Sequence, residues 1–184
     1  MGKHILKPLL LLVGASISFA SCSKNEETIT KGALVSRNDF ESVLGWGGNT
    51  DVSVTTDRAH SGKYAVKVGP QNEFGYTYIQ TLGKMSTAKA KTVTVSAWVW
   101  MPSAQSASQL VLSITRSPER NTPVFYGSIG LPTVVKKFKN WQQVSQTFTL
   151  PDSVQSANQL KCYLWRTGTN ENVYADDITL SVSN

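Results

Sequence analysis

The chain has 184 residues, 40% of them hydrophobic, so it is long enough to bury one core of ordinary domain size. Its formal net charge is +6, an excess too small to argue for nucleic acid, although it is compatible with an acidic glycan or surface. The sequence contains no nucleophile elbow, metalloprotease motif or phosphate-binding loop, which argues against the commonest hydrolases and nucleotide enzymes.

The first 21 residues have the form of a secretion signal. Lys3 and Lys7 precede an apolar run that extends from Leu9 to Phe19, and the segment holds no acidic residue. Small residues interrupt the run, which is also shorter than the about 20 apolar residues that a membrane-spanning helix needs. We therefore expect residues 1–21 to be removed, which leaves 16 basic and 12 acidic side chains and a net charge of +4.

Small residues precede a cysteine at the end of this segment, in Phe19-Ala20-Ser21-Cys22. This tetrapeptide resembles the lipobox of bacterial lipoproteins, which implies that Cys22 is acylated and anchors the mature chain to a membrane. The alternative is an ordinary cleavage site with a cysteine there by chance. Residues 23–27 are similar to a signal for display on the outer surface of some Gram-negative cells, or form a solvated linker. The prediction is an outer-membrane lipoprotein, on the cell surface or the periplasmic face.

One domain is expected to follow, with residues 22–33 as lipidated cysteine and tether and residues 34–184 as the folded part. If Cys22 carries lipid, Cys162 has no partner, so no disulfide staples the domain. The stability of the domain must then come from its core or from a bound metal ion.

From Ser36 onward, short stretches rich in Val, Thr, Tyr and Trp alternate with Gly, Pro, Asn and Ser, and no helical periodicity or internal repeat is visible. This spacing predicts an all-β fold, a two-sheet antiparallel β-sandwich of the jelly-roll kind. The predicted strands are Leu34–Glu41, Asp51–Thr55, Tyr64–Val68, Tyr76–Thr81, Thr92–Trp100, Gln109–Thr115, Val124–Ile129, Gln142–Leu150, Gln159–Arg166 and Tyr174–Val182.

Several of these strands carry one aliphatic face and one polar and aromatic face, because residues i and i+2 of a strand point to the same side. The aliphatic face must be core. In the penultimate strand Leu160, Cys162 and Leu164 alternate with Lys161, Tyr163 and Trp165, and in the strand before Pro102 the residues Val93, Val95, Ala97 and Val99 alternate with Thr94, Ser96, Trp98 and Trp100.

A face with aromatic rings among amide, hydroxyl and cationic side chains suits a sugar, whose C–H face stacks on a ring while its hydroxyls form hydrogen bonds. Each single ring has an alternative place, buried under a loop or between the sheets, and that place is favoured for Trp98. Trp46 and Trp141 are interpreted as structural. The ligand-binding candidates are Tyr163 and Trp165, followed by Trp100 and Tyr126, with Arg116 and Arg166 at strand ends as hydrogen-bonding partners.

Five motifs in a fixed order resemble the carbohydrate-binding modules of the galactose-binding-like jelly-roll group, especially families 4, 9 and 22. The resemblance covers nearly the whole chain from Ser36 to Val182. The motifs are Asn38-Asp39-Phe40-Glu41 with Trp46 after it, Ala59-His60-Ser61-Gly62-Lys63-Tyr64-Ala65-Val66, Val95-Ser96-Ala97-Trp98-Val99, Asn140-Trp141-Gln142-Gln143-Val144 with Phe148-Thr149-Leu150-Pro151, and Val173-Tyr174-Ala175-Asp176-Asp177-Ile178-Thr179-Leu180.

The resemblance implies a two-sheet sandwich with a ligand cleft on one sheet and a structural Ca²⁺ near the first and last strands. Carried over to this chain, Glu41 and Asp176 are the side-chain ligands, with backbone oxygens around Ser61 to Lys63. The strand pattern places Asp176 on one face with Ile178, Leu180 and Val182, so we expect it to point inward, where a carboxylate needs a cation or hydrogen-bond donors. The alternatives are that Asp176 caps a turn or pairs with Arg58 or Lys63.

The predicted function is non-catalytic binding of a polysaccharide or oligosaccharide by a membrane-anchored lipoprotein. A second hypothesis is a protein-binding or assembly component of the cell surface, because aromatic and Arg side chains are also enriched at protein interfaces. A glycan-degrading enzyme is the third, and it has little support, because His60 lies in a turn that the family uses structurally and no catalytic motif is present.

Overall fold

A computed structural model describes residues 32–42, 51–168 and 170–184. The predicted signal peptide, Cys22 and the turn with Trp46 lie outside these residues. Every predicted strand has an observed counterpart, and the ends of two of them, β5 and β9, are as predicted. The strands are β1 (Ala33–Asn38), β2 (Val54–Thr55), β3 (Ala65–Val68), β4 (Tyr78–Thr81), β5 (Thr92–Trp100), β6 (Ser108–Ser117), β7 (Arg120–Gly130), β8 (Trp141–Thr149), β9 (Gln159–Arg166) and β10 (Val173–Ser183).

The strands form two antiparallel sheets, which confirms the predicted sandwich. One sheet has the order β2-β3-β10-β5-β8, and β1 also pairs with β10. The other sheet has the order β4-β9-β6-β7. Along one edge of β10, β3 pairs with residues 173–175 and β1 with residues 178–182, so two strands share that edge in succession.

The core lies between the two sheets and is built from the aliphatic faces that the sequence pattern predicts. Side chains from β5 in one sheet meet side chains from β6 and β9 in the other, and all of them are buried. Cys162 is a free thiol in this core, and burial raises its pKa to about 12, so it packs as a small apolar group. The central members are Val93, Val95, Ala97, Val99, Leu110, Leu112, Ile114, Leu160 and Leu164.

Two single-turn helices, which the sequence analysis did not predict, connect strands. They are α1 (Leu82–Met85) after β4 and α2 (Leu131–Val134) after β7. A helix of four residues has no period to detect in the sequence. Each buries its first leucine in the core and leaves most of the turn outside. No helix among the described residues is long and apolar enough to cross a membrane.

The prediction that Asp176 faces inward is wrong. The register of β10 against β5 shifts between Asp176 and Thr179, and Asp177 has a φ of 47° in the left-handed region. Before this bulge the odd-numbered residues face the core, as Ala175 does, and after it the even-numbered residues face the core, as Leu180 does. Asp176 lies opposite Trp98, on the outer side of the sheet. It is nevertheless 0% exposed, because a turn lies over it.

All ten strands and the core of the described residues lie between Ala33 and Ser183. A fragment of residues 28–184 therefore contains the whole sandwich, and it is the fragment that the experiments below use.

Candidate functional site

The outer face of the four-stranded sheet carries a group of aromatic side chains. Leu160, Cys162 and Leu164 of β9 are fixed in the core, so the alternation of the strand turns its other residues outward. The rings of Tyr163 and Trp165 are half-buried there, as predicted. We call this surface the aromatic face, defined by Phe74, Tyr126, Tyr163 and Trp165.

Tyr126 belongs to the same face, as predicted, although it comes from β7. It lies opposite Ser113 of β6, and its side chain is 49% exposed. Between β7 and β9, Val111 of β6 also points outward and lies opposite Tyr163, but it is 0% exposed. Neighbouring side chains therefore cover Val111, and it offers no surface to a ligand.

Phe74 is the ring that the sequence analysis missed. The segment around it pairs with the end of β9: Gly75 N–H donates to the Leu164 carbonyl at 2.8 Å, and Phe74 bridges to Trp165. The Phe74 ring is 51% exposed, lies parallel to Trp165 at 6.2 Å between centroids, and meets Tyr163 edge-on at 5.9 Å. Phe74 precedes the predicted strand, among polar residues and Gly75, so no alternation marked it.

A hydrogen bond fixes the orientation of the indole at one end of this face. Trp165 Nε1–H donates to Glu73 Oε1 at 3.0 Å, and Arg166 N–H donates to the Glu73 carbonyl at 2.9 Å. The Nε1–H donor of the indole is thus bonded within the protein, and the face of the ring is the part available to a ligand.

A groove of about 410 Å³ runs over the aromatic face. Its polar lining consists of hydroxyl, amide and ammonium groups, and none of its lining residues is acidic. The lining residues are Phe74, Thr77, Ile79, Ser113, Thr115, Asn121, Pro123, Tyr126, Lys161 and Tyr163.

The phenol of Tyr163 is in its neutral form at neutral pH. Burial is the main reason that its pKa is raised above the ordinary value, and the neighbouring Tyr126 and Cys162 add to the effect. A neutral phenol both donates and accepts hydrogen bonds, which is what a sugar hydroxyl needs from a partner.

The two arginines chosen from the sequence are far apart. Arg166 ends β9 opposite Ser108, whereas Arg116 lies near the other end of β6. Eight residues of β6 separate Ser108 from Arg116, which is about 27 Å of strand. Arg116 and Arg166 therefore flank opposite ends of the sheet and do not act on one sugar.

Trp100 does not lie on the aromatic face, which corrects its place in the predicted set. It belongs to β5 in the six-stranded sheet, where the Arg58 guanidinium lies 3.8 Å from its ring centre and Tyr174 meets it edge-on at 5.7 Å. Alternation assigns a residue to one side of its own strand. It does not say in which sheet that strand lies, so Trp100 and Trp165 could not be separated from sequence.

His60 has packing partners on the outer side of the six-stranded sheet. Its ring stacks on Trp98 at 3.9 Å and meets Trp141 edge-on at 5.6 Å, so both tryptophans have the structural role expected of them. His60 Nδ1 also lies 2.8 Å from Asp177 Oδ2, and Arg37 lies 3.0 Å from the other oxygen of that carboxylate. This arrangement ties the turn at His60 to β10.

The two carboxylates predicted to bind Ca²⁺ hold the same turn at its two ends. Asp176 Oδ2 accepts hydrogen bonds from the N–H groups of His60 at 2.8 Å and Ser61 at 3.1 Å. Glu41 Oε1 accepts from the N–H groups of Lys63 at 2.6 Å and Tyr64 at 2.7 Å. The structure thus brings together Glu41, Ser61, Lys63 and Asp176, the four residues predicted for the metal, through N–H donors of the turn.

Asp176 is a buried carboxylate with donors but no cationic partner among the described residues. Burial raises its pKa to about 6, against the lowering effect of the N–H groups of Ser61, Asp177 and His60. The pKa of Asp177 is lowered, because hydrogen bonds from His60, Arg37 and Ser61 outweigh its burial. Arg58 and Lys63, the alternative partners of Asp176, lie against aromatic rings instead.

The described residues contain no group of three or more His, Cys, Asp or Glu side chains that could hold a metal ion. Among the described residues, Asp176 Oδ1 accepts one hydrogen bond, from the Asp177 N–H, and Glu41 Oε1 accepts two, while a carboxylate has about four lone-pair sites. Since Ca²⁺ takes carboxylate, carbonyl and water oxygens, two carboxylates beside a turn fit part of a Ca²⁺ shell.

A family model described as a carbohydrate binding domain, of the family 4 and 9 type, matches residues 32–170 of this chain. This span includes β1 to β9 and all four residues of the aromatic face. The chain belongs to this family of carbohydrate-binding domains. The resemblance noted from five motifs is therefore confirmed. No functionally curated protein matches the chain.

Solved structures share the fold of this carbohydrate-binding domain at low sequence identity. The CBM22-1 xylan-binding domain of Xyn10C from Paenibacillus barcinonensis is 17% identical with a TM-score of 0.51, and the match covers 83% of this chain and 97% of that one. The CBM22-1-GH10 modules of Clostridium thermocellum Xyn10B, complexed with xylohexaose, are 11% identical with a TM-score of 0.53, over 84% of this chain and 29% of that one. The chain spans 48% of the tandem CBM22-1-CBM22-2 structure from P. barcinonensis, with 16% identity and a TM-score of 0.50.

Proposed function

We propose that this domain binds a polysaccharide without catalysis, through the aromatic face of the four-stranded sheet. The observation that carries the proposal is the exposed ring of Phe74 with the half-buried rings of Tyr163 and Trp165, beside a groove lined by hydroxyl and amide groups. A pyranose ring laid on Trp165 buries its C–H face, while neighbouring polar groups meet its hydroxyls.

The shape of the groove supports binding of an extended chain over binding of a small enclosed ligand. The groove is open along the sheet, and its rings extend from Tyr126 on β7 to Tyr163 on β9 and Phe74, with Trp165 next to Phe74. A shallow, hydrated groove leaves few contacts fully desolvated, so the affinity for each sugar unit is low and several units must bind together. Because the neighbours described above include a xylan-binding domain, xylan is the first polymer to test.

The composition of the groove supports a role without bond cleavage. Glycosidases use a pair of carboxyl groups on either side of the scissile bond. The described lining of the groove offers Lys, Tyr, Ser, Thr and Asn side chains and no such pair.

We expect Tyr163→Ala and Trp165→Ala each to weaken polysaccharide binding by about tenfold or more, because each removes a ring that a sugar covers. Affinity electrophoresis of the 28–184 fragment against a panel that includes xylan measures this. Trp100→Ala is the matched control, since that ring lies on the other sheet, and it should bind as the wild type does. Retardation that survives both substitutions, or that is lost only with Trp100→Ala, contradicts the proposal. No retardation by any polymer favours a protein partner instead.

We also propose that Cys22 is acylated and that the domain is displayed on the outer membrane, on the cell surface or the periplasmic face. The support is the small-residue segment before Cys22 and the polar tether after it. Labelled palmitate should enter the wild-type protein in bacterial cells, and Cys22→Ser should abolish the label and release the protein from membranes. A wild-type protein without label contradicts this anchor.

A structural Ca²⁺ beside the turn of residues 60–64 is a further proposal, supported by the buried Asp176 carboxylate and by Glu41 at the other end of the same turn. At saturating Ca²⁺ the melting temperature of chelated protein should rise by about 5–10 °C. Glu41→Gln and Asp176→Asn should lose that response, whereas Asp152→Asn, at an exposed surface ion pair, should keep it. Equal melting curves of the wild type with chelator and with Ca²⁺ contradict the proposal.

A further inference from the structure

The ammonium group of one lysine, Lys161, lies in the groove over the aromatic face. Lys161 lies on β9, between Ile79 of β4 and Ser113 of β6, and it lines the groove together with Tyr163. The two flanking strands leave its side chain half-buried. A ligand that lies along the groove therefore passes directly over or beside the ammonium group.

The partner of Lys161 is an amide. Its Nζ donates to Asn121 Oδ1 at 2.9 Å. Three other cations of the described chain meet carboxylates instead: Lys67 with Asp57, Lys89 with Asp152 and Arg37 with Asp177. An ammonium group has three donors, so Lys161 keeps hydrogen-bonding capacity and a full positive charge toward the groove.

Two acidic side chains, Glu73 and Glu119, belong to segments beside this face, and neither of them lines the groove. Glu73 is bonded to Trp165, which is four residues from Lys161 on β9, about 13 Å of strand. Glu119 lies in the β6–β7 hairpin, where hydrogen bonds from Ser117 and from the backbone lower its pKa, with a smaller contribution from Arg120. Among the described residues that line the groove, Lys161 is the only charged one.

We propose that the aromatic face selects glycans that carry an anionic group, a carboxylate or a sulfate, and that Lys161 receives this group. The proposal rests on the glycan-binding function proposed above and adds the substrate class. A negatively charged sugar satisfies the free donors of Lys161, and no acidic side chain of the groove lining repels it. The rings of Tyr163 and Trp165 hold the sugar units on one side of the charge, so a polymer with spaced anionic units fits the whole face.

Paired polymers that differ only in charge test this proposal. The binding constants of the 28–184 fragment are measured for glucuronoxylan and its carboxyl-reduced form, and for a sulfated galactan and its desulfated form. We expect at least one charged polymer to bind about two- to fivefold more tightly than its neutral counterpart, as for a partly exposed ion pair, and the pair that shows it identifies the anion. The preference should shrink as salt is raised from 0.05 to about 0.5 M.

Lys161→Gln should remove the preference for the charged polymer, so that the charged and neutral forms bind with equal affinity. Lys91→Gln is the control, because it removes the same charge from an exposed site before β5 on the other sheet. Equal binding of charged and neutral forms by the wild type overturns the proposal, as does a preference that persists in Lys161→Gln. If Tyr163→Ala abolishes binding of a neutral polymer while no charge preference exists, the glycan-binding function stands and only this inference fails. Absence of binding to every polymer contradicts both.

Discussion

The two-residue period of β9 is the constraint on which the binding surface depends. Leu160 and Leu164 are packed in the core between the sheets, and moving the strand by one residue would place Lys161 and Trp165 there instead. The cost of burying an ammonium group among aliphatic side chains excludes that register. The hydrophobic core thus determines which side of the sheet carries the aromatic rings, and the binding surface follows from the same packing that makes the domain stable.

A second constraint acts at the far side of the sandwich, where β10 changes its partner from β3 to β1. The bulge after Asp176 lies at this change, and Asp177 takes a left-handed conformation there. Because the backbone leaves the strand ladder here, the carboxylates of Asp176 and Asp177 can contact other groups. Asp176 accepts a hydrogen bond from the turn at His60, and Asp177 pairs with His60 and Arg37. The first, second and last motifs of the family resemblance therefore meet at one structural joint, on the sheet that does not carry the aromatic face.

The sequence was sufficient for the strands, because strict alternation and turn residues mark each one, and β5 and β9 were placed to the residue. It was not sufficient where that alternation breaks. The bulge in β10 reversed the direction predicted for Asp176, and a bulge has no marker in a run such as Ala175 to Thr179. Phe74 was missed because its contacts with β9 are made by a segment with one bridge and no strand of its own.

The sequence also does not show which of the two sheets a strand joins. Trp100 and Trp165 both lie on outward faces of their strands, yet the strands belong to different sheets, and pairing between strands far apart in sequence decides this. Of the six ligand-binding candidates, the aromatic face gathers Tyr126, Tyr163 and Trp165, whereas Arg166 ends β9 with the alternation of Leu160 and Leu164, on the opposite side of the strand. Family resemblance supplied the function, because ring and hydroxyl patterns of this kind also occur at protein interfaces.

Nuclear magnetic resonance titration tests the central claim, that the glycan lies on the aromatic face, most directly. The ¹⁵N-labelled 28–184 fragment is titrated with a hexasaccharide cut from whichever polymer retards it. We expect shifts of the Trp165 indole N–H and of the backbone amides of Lys161 and Tyr163, with the Trp100 indole unchanged. Shifts that cluster around Trp100 and Arg58, with Trp165 unchanged, would place the ligand on the six-stranded sheet and exclude the aromatic face as the binding site.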